Sequence, residues 1–251
     1  MDIAAFIGIF LGIGAIIGGN LTEGGNITHL VQLSAGIIVF GGTLGATLLS
    51  FSVRDILNAI KSLGMVFGRS SAAPGEVIED ILGLLVKARK MGLLTLESQV
   101  KTIDNAFLRK GLSLVIDGIP PAMIKEILSQ EIFTYEETYR KASKVYESAG
   151  GFAPTIGILG AVLGLIQVMR NVTDPSKIGG GIAVAFVATI YGVGSANLLF
   201  IPIGKKIMNR LNEEIFVREL IVEGVLGVES GVNPYFLKAR LNAFLAEHEK
   251  Q

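Results

Sequence analysis

The chain has 251 residues, half of them hydrophobic and only 18% charged, with a mean hydropathy of +0.57. That apolar excess excludes an ordinary water-soluble domain and points to membrane spans. Lysine plus arginine balance aspartate plus glutamate at 22 each, so nucleic acid has no electrostatic footing as a partner. With no cysteine there are no disulfides or thiolate metal sites, and the two histidines, His29 and His248, lie too far apart in sequence to suggest a metal centre. No metal and no cofactor are expected.

Four uncharged stretches are long enough to cross the ~30 Å hydrocarbon core of a bilayer, which needs ~20 helical residues. They run over Ile3–Leu21, Leu30–Val53, Ala149–Met169 and Ile178–Gly204. The first follows Asp2 without a basic leader or a small-residue cleavage site, so it reads as a retained span rather than a signal peptide. Gly19–His29 carries no lysine or arginine, whereas Arg54–Lys144 carries thirteen, Arg69 among them. The link between spans three and four holds Arg170 and Lys177, and the tail from Lys205 holds seven more. By the positive-inside rule both termini and the long middle segment face the cytoplasm.

Between spans two and three the pattern is helical. "VRDILNAIKSLG" places Ile56, Ile60 and Leu63 on one apolar stripe, and "EVIEDILGLLVKARK" does so with Val77, Ile81, Leu84 and Ala88. "GRSSAAPGE" between them reads as a loop. From "PPAMIKEILSQ" onward a helix starts at proline and meets no breaker before span three, which predicts a single rod. In the tail, Asn233 is a natural N-cap with Pro234 at the first helical position. The expected fold is an all-α integral membrane protein of four transmembrane helices with a large helical cytoplasmic segment between spans two and three. Its segments are residues 1–53 (spans one and two), 54–148 (cytoplasmic), 149–204 (spans three and four) and 205–251 (cytoplasmic tail).

Every acid, lysine, arginine and histidine lies outside the four spans. A membrane enzyme, pump or transporter working alone needs intramembrane charge, a metal cluster or an activated nucleophile. The chain offers none of these, so it reads as no enzyme, and either the spans only anchor or a partner helix brings the charge. The small-xxx-small patterns at Gly8/Gly12, Gly14/Gly18, Gly41/Gly45 and Gly160/Gly164 favour close packing of several helices. Pro154 and Pro202 each remove an amide donor, leaving the carbonyls of Gly150 and Leu198 without their helical partners. In hydrocarbon such carbonyls need water, a hydroxyl, an ion or a neighbour. The bland alternative is a pair of bends at span ends. Hydroxyls at Thr155, Thr189, Tyr191 and Ser195 in the same spans favour a polar-lined path instead.

The run "GGFAPTIGILGAVLGLIQVMRNVTDPSKIGGGIAVAFVATIYGVGSANLLFIPIGKKI" resembles the signature of the MotA/PomA family, the channel-forming stator subunits of the bacterial flagellar motor. "ARKMGLLTLE" (Ala88–Glu97) resembles its charged cytoplasmic motif and "GVNPYFLKARLNAFL" its tail, so the likeness covers nearly the whole chain in order. The resemblance implies a bacterial inner-membrane protein that assembles as a homopentamer around two copies of a one-span, peptidoglycan-binding MotB/PomB partner. The partner's aspartate would be the missing intramembrane charge. Ion flow would turn the ring and push the rotor protein FliG. Pro154 and Pro202 match the family's two coupling prolines, Arg89 and Glu97 its rotor-facing charges, and Lys90 a neighbouring basic residue.

The likeness bears on the ion as well. Sodium-driven members commonly carry threonine at the position of Ala161 and a Thr-Thr pair at Ala188–Thr189. This chain keeps only Thr189 of the three, so a proton is expected rather than sodium, which as a hard cation prefers a cage of oxygens. An ExbB/TolQ-type energiser of an envelope process is the alternative, and its usual three spans and different loop order weigh against it.

Overall fold

The computed structural model describes residues 2–68, 73–173 and 175–248, with the side chains of 175–177 and 246–248 set aside. Residues 69–72, four of the nine in the expected "GRSSAAPGE" loop, and the side chains of Lys177 and His248 therefore lie outside the described residues, while Pro74–Glu76 of that loop instead open a helix, with proline at its first position. The described chain is helical from end to end: α1 (Ile3–Thr22), a 3-10 turn (Ile27–Leu30), α2 (Leu33–Gly36), a π-helical segment (Ile37–Gly41), α3 (Gly42–Ser50) and α4 (Val53–Phe67). There follow α5 (Pro74–Met91), a 3-10 turn (Leu93–Leu96), α6 (Glu97–Val100), α7 (Ala106–Ile116), α8 (Pro121–Arg170), α9 (Pro175–Ser195), a second π-helical segment (Ala196–Phe200), α10 (Ile201–Glu229) and α11 (Pro234–His248).

Four helices are long and apolar enough to cross a membrane: Ile3–Thr22, Ile27–Ser50, and stretches within Pro121–Arg170 and Ile178–Glu229. The expected rod into span three is α8, 50 residues long with Pro121 at its start and Pro154 inside it. Two compact units divide the chain, Met1–Arg69 with Thr138–Asn209, and Ser70–Glu137 with Arg210–Gln251.

The first unit holds the spans and is packed through small residues. The carboxylate of Asp2 accepts from the amide of Ala5 and caps span one. On α8, Gly157, Gly160 and Gly164 lie against Gly181, Ala185, Ala188 and Gly192 of α9. A methyl group at Gly157 would fall 2.9 Å from the Ala188 carbonyl oxygen, and one at Gly164 2.8 Å from that of Gly181. The two backbones therefore touch, which is how helices associate where lipid offers no hydrophobic drive. Gly12 instead faces the Leu198 side chain, and a methyl group at Gly8, Gly14, Gly18, Gly41 or Gly45 would meet no other element within 4 Å among the described residues.

Helix α4 departs from the expected stripe. Ala59, Ser62 and Val66 are its buried residues, while Ile60 is 57% exposed, with Ile56 and Leu63 half-buried. The partner surface on α8 is Ala142, Val145 and Tyr146, and the Tyr146 hydroxyl donates to the Ala59 carbonyl at 2.9 Å. A phenol reaching a backbone carbonyl needs a small residue there, so Ala59 faces inward and the larger aliphatics turn out. The same burial pushes the Tyr146 phenol up to about 12.

The second unit has an interior of large aliphatic side chains. Ile81, Leu85, Leu96, Leu108, Leu112, Ile124, Leu128, Leu220, Ile221 and Leu241 are all essentially inaccessible. Val77, Ile81, Leu84 and Ala88 of α5 all join this core, as their spacing predicts. The tail is part of it: Asn233 Oδ1 accepts from the amide of Tyr235, and Leu237 and Leu241 of α11 are buried. Arg218, 14% exposed, lies over the rings of Tyr135 and Phe107, with Glu214 at 2.9 Å and Glu131 at 3.8 Å. A partly buried guanidinium between two carboxylates and two aromatic faces satisfies both its charge and its flat surface.

Candidate functional site: the two proline breaks

The helical turn ahead of Pro154 packs beside the residue ahead of Pro202. Gly150, whose carbonyl loses its donor to Pro154, packs on Ile201, the residue before Pro202; a methyl group at Gly150 would lie 2.6 Å from Ile201 Cγ1. Pro154 itself lies against Gly192 of span four, where a methyl group would fall 2.5 Å from the Ala153 carbonyl oxygen and 3.2 Å from Pro154 Cα. A side chain at 192 would push the two helices apart at the break. Gly192 thus belongs to the site although the sequence patterns do not single it out; its partners are 35 or more residues away along the chain.

The two breaks are handled differently. Around Pro154 the helix continues without a change of type. Ahead of Pro202 the backbone widens to a π-helical turn at Ala196–Phe200, and the Ile201 amide donates to Ala196 five residues back. A π-turn shifts the hydrogen-bond ladder by one residue, which absorbs the missing donor of a following proline. No residue pattern announces this turn, nor the equivalent one at Ile37–Gly41.

The hydroxyls near the breaks turn mostly to their own backbones. Thr155 donates to Phe152 at 2.8 Å, Thr189 to Ala185 at 3.2 Å and Ser195 to Gly192 at 3.3 Å. Thr155 is exposed on the face of α8 that also presents Ile158, Leu159 and Val162. Tyr191 instead reaches span two: its hydroxyl donates to Leu30 at 2.6 Å and accepts from the Gln32 amide at 3.2 Å. It bridges the backbone between the 3-10 turn and α2. Ala188 is fully buried among Ala35, Val39 and Val187, while Ala161 is half-buried. One hydroxyl that sequence reading passed over is Thr43 in span two, 3% exposed and without a hydrogen-bond partner among the described residues. Gly42 beside it faces Ile156, two residues past Pro154.

The charged candidates lie in the other unit. Arg89 and Lys90 are exposed in the last turn of α5, which Gly92 ends at φ +90°. The Arg89 guanidinium reaches the Val232 carbonyl at 3.4 Å, ahead of α11. Glu97 opens α6, exposed, and pairs with Lys101 one turn on at 3.0 Å. Lys101 is a partner that the i, i+4 spacing could have disclosed. No group of three potential metal ligands occurs among the described residues.

Comparison with known proteins gives these features a family. Residues 99–220 match the MotA/TolQ/ExbB proton channel family, and residues 6–92 match the motility protein A N-terminal region. Motility protein A of Helicobacter pylori is 34% identical over 99% of this chain and 97% of its own length. YtxD of Bacillus subtilis is 35% identical over 98% and 91%. A chain of the solved structure of C. jejuni MotAB superposes with a TM-score of 0.91 at 32% identity, covering 97% of this chain and 96% of that one. With two family regions, relatives matched nearly end to end and the same fold, the chain belongs to the motility protein A family of stator ion-channel subunits.

Proposed function

We propose that this chain conducts protons in the inner membrane together with a one-span MotB-type partner, and converts that flow into a push on the rotor protein FliG. Copies of the chain form a ring, most simply a pentamer, with both termini and the charged unit in the cytoplasm. The chain is a channel subunit rather than an enzyme, and it needs no cofactor beyond the transported ion.

The carrying observation is a combination. The spans hold no acid, lysine, arginine or histidine, yet Gly150, whose carbonyl one helix-breaking proline frees, packs on Ile201, the residue before the other. A pathway with a broken backbone and no charge of its own calls for a partner carboxylate. The exposed face of α8 with Thr155 is the surface offered to that partner, and loading and unloading its carboxylate biases the break between two states. Protons are favoured over sodium because Ala161 and Ala188 present methyls where an oxygen cage would need ligands. Arg89, Lys90 and Glu97 act on the rotor. Four candidate spans and the match over residues 6–92 favour this reading over an ExbB/TolQ-type energiser.

The test is ion leak in cells. The chain alone should leave internal pH and sodium unchanged. Co-expression with the partner should acidify the cytoplasm, and replacing the partner's membrane aspartate by alanine should abolish the leak. Leak through the lone subunit contradicts the reading, and leak of sodium without protons overturns the choice of ion.

A further inference from the structure

Span one and the helix that carries Pro202 run antiparallel and touch on either side of that proline. On one side a methyl group at Gly12 would lie 3.0 Å from Leu198 Cδ2, and Leu198 is the residue whose carbonyl Pro202 deprives of its donor. On the other side the Lys206 ammonium pairs with the Asp2 carboxylate at 2.6 Å. Leu198, Pro202 and Lys206 follow one another at four-residue spacing, about one helical turn each, and meet span one in that order. Between the two contacts lies a cavity of about 350 Å³, lined by Ala5, Gly8 and Ile9 of span one and by Leu198, Pro202 and Ile203. The interface is closed on both sides of the break and open at the break itself.

Asp2 is held more firmly than a surface acid. Its side chain is 9% exposed, against 32% for Lys206. Its Oδ1 accepts from the Ala5 amide at 3.2 Å, and its own amide donates to the Phe67 carbonyl at 3.2 Å, with the Phe67 ring 4.9 Å from Phe6. An exposed ion pair contributes little, because two mobile side chains must be ordered in water. Here the acid is already ordered and mostly out of water, so losing the lysine leaves a poorly solvated carboxylate, which is the costly case. The Gly12–Leu198 contact is a glycine against the end of a leucine side chain and yields more easily.

We infer that Asp2 is a positioning residue for coupling. Through Lys206 it fixes the turn after Pro202 to span one and to the end of α4, so that a change at the break tilts α10 about a fixed point rather than letting it slide along span one. The cavity beside Pro202 gives the break room to change while the Asp2–Lys206 pair stays closed. This rests on the reading of Pro202 as a coupling break and adds a fulcrum to it.

Asp2→Asn isolates the charge. Asparagine caps a helix as well as aspartate does and keeps the backbone bond to Phe67, but it cannot pair with Lys206 as an anion. In cells carrying the partner subunit, the measurements are stators incorporated at the motor by fluorescence, torque per incorporated stator in tethered cells, and partner-dependent ion leak. Asp2→Asn should incorporate and leak as the parent does and lose most of its torque. Lys206→Gln should do the same, and Lys206→Arg should keep torque. The double variant Asp2→Asn with Lys206→Gln should be no weaker than either single one, since both act through one contact. Parental torque from Asp2→Asn overturns the proposal, as does a double variant whose losses multiply. Failure of both single variants to incorporate makes the pair a fold contact, and leak lost together with torque places it in ion passage; either result overturns the fulcrum. If only Asp2→Asn fails to incorporate, Lys206→Gln decides by the same measurements. Absence of leak in the parent contradicts the channel reading itself, whereas torque lost with leak intact is the result the fulcrum predicts.

Discussion

The two units of this chain are packed by opposite means. In the unit holding the spans, the close contacts involve Gly157, Gly160, Gly164, Gly192, Ala153 and Ala188, and backbone meets backbone. In the charged unit the interior is Leu85, Leu112, Leu128, Ile221 and their neighbours, with almost no accessible surface. The difference follows from solvent. Water drives large aliphatic side chains together. Lipid does not, so helices in it gain only from close approach and from satisfied backbone groups. Small residues also leave little interdigitation to lock a helix pair in place, which suits a site proposed to switch between two states.

Substitutions of opposite sense sharpen that contrast. Leu112→Ala in the charged unit should cost about 2–5 kcal/mol, the usual price of a buried leucine, seen as a lower thermal midpoint and faster proteolysis of that unit. Little loss there would mean its core is looser than its burial indicates. In the spans the damaging change is addition: Gly192→Val should cost about 1–3 kcal/mol through overpacking and reduce recovery of the assembled complex. Gly41→Ala, with open space around it, should leave the fold at least as stable, and a matching loss at both glycines would dissolve the distinction. Thr43→Val replaces a buried hydroxyl that has no partner among the described residues by an isosteric methyl and should stabilise by about 1 kcal/mol, read as a raised midpoint in detergent; destabilisation would show that the hydroxyl holds a water. Smallest of all, Lys101→Gln should change stability by no more than about 0.5 kcal/mol, since its pair with Glu97 is exposed, yet alter rotation by freeing the Glu97 charge. Unchanged rotation would argue against Glu97 as a rotor contact.

Much of this was legible in the residues. Uncharged runs located the spans, Pro121 located the start of α8, and Asn233–Pro234 located the start of α11, because hydrophobic length, proline geometry and capping act locally. What escaped depended on partners distant in sequence. Ile60 faces outward because Tyr146 claims the carbonyl of Ala59. Gly192 matters because Pro154 is opposite it. Tyr191, grouped with the path hydroxyls by its place in span four, bonds to Leu30 and Gln32 in a different span. The π-helical turns have no residue signature, since they answer to the whole register of a helix and its neighbours.

The central claim is that the break at Pro154 switches rather than merely ends a helix. Pro154→Ala restores the donor for Gly150, and removing proline from a helix interior is worth up to about 3 kcal/mol. The variant should therefore enter the motor at least as well as the parent, measured by fluorescence of labelled stators. It should nevertheless generate little torque in tethered cells. Wild-type torque from fully incorporated Pro154→Ala stators would contradict the account.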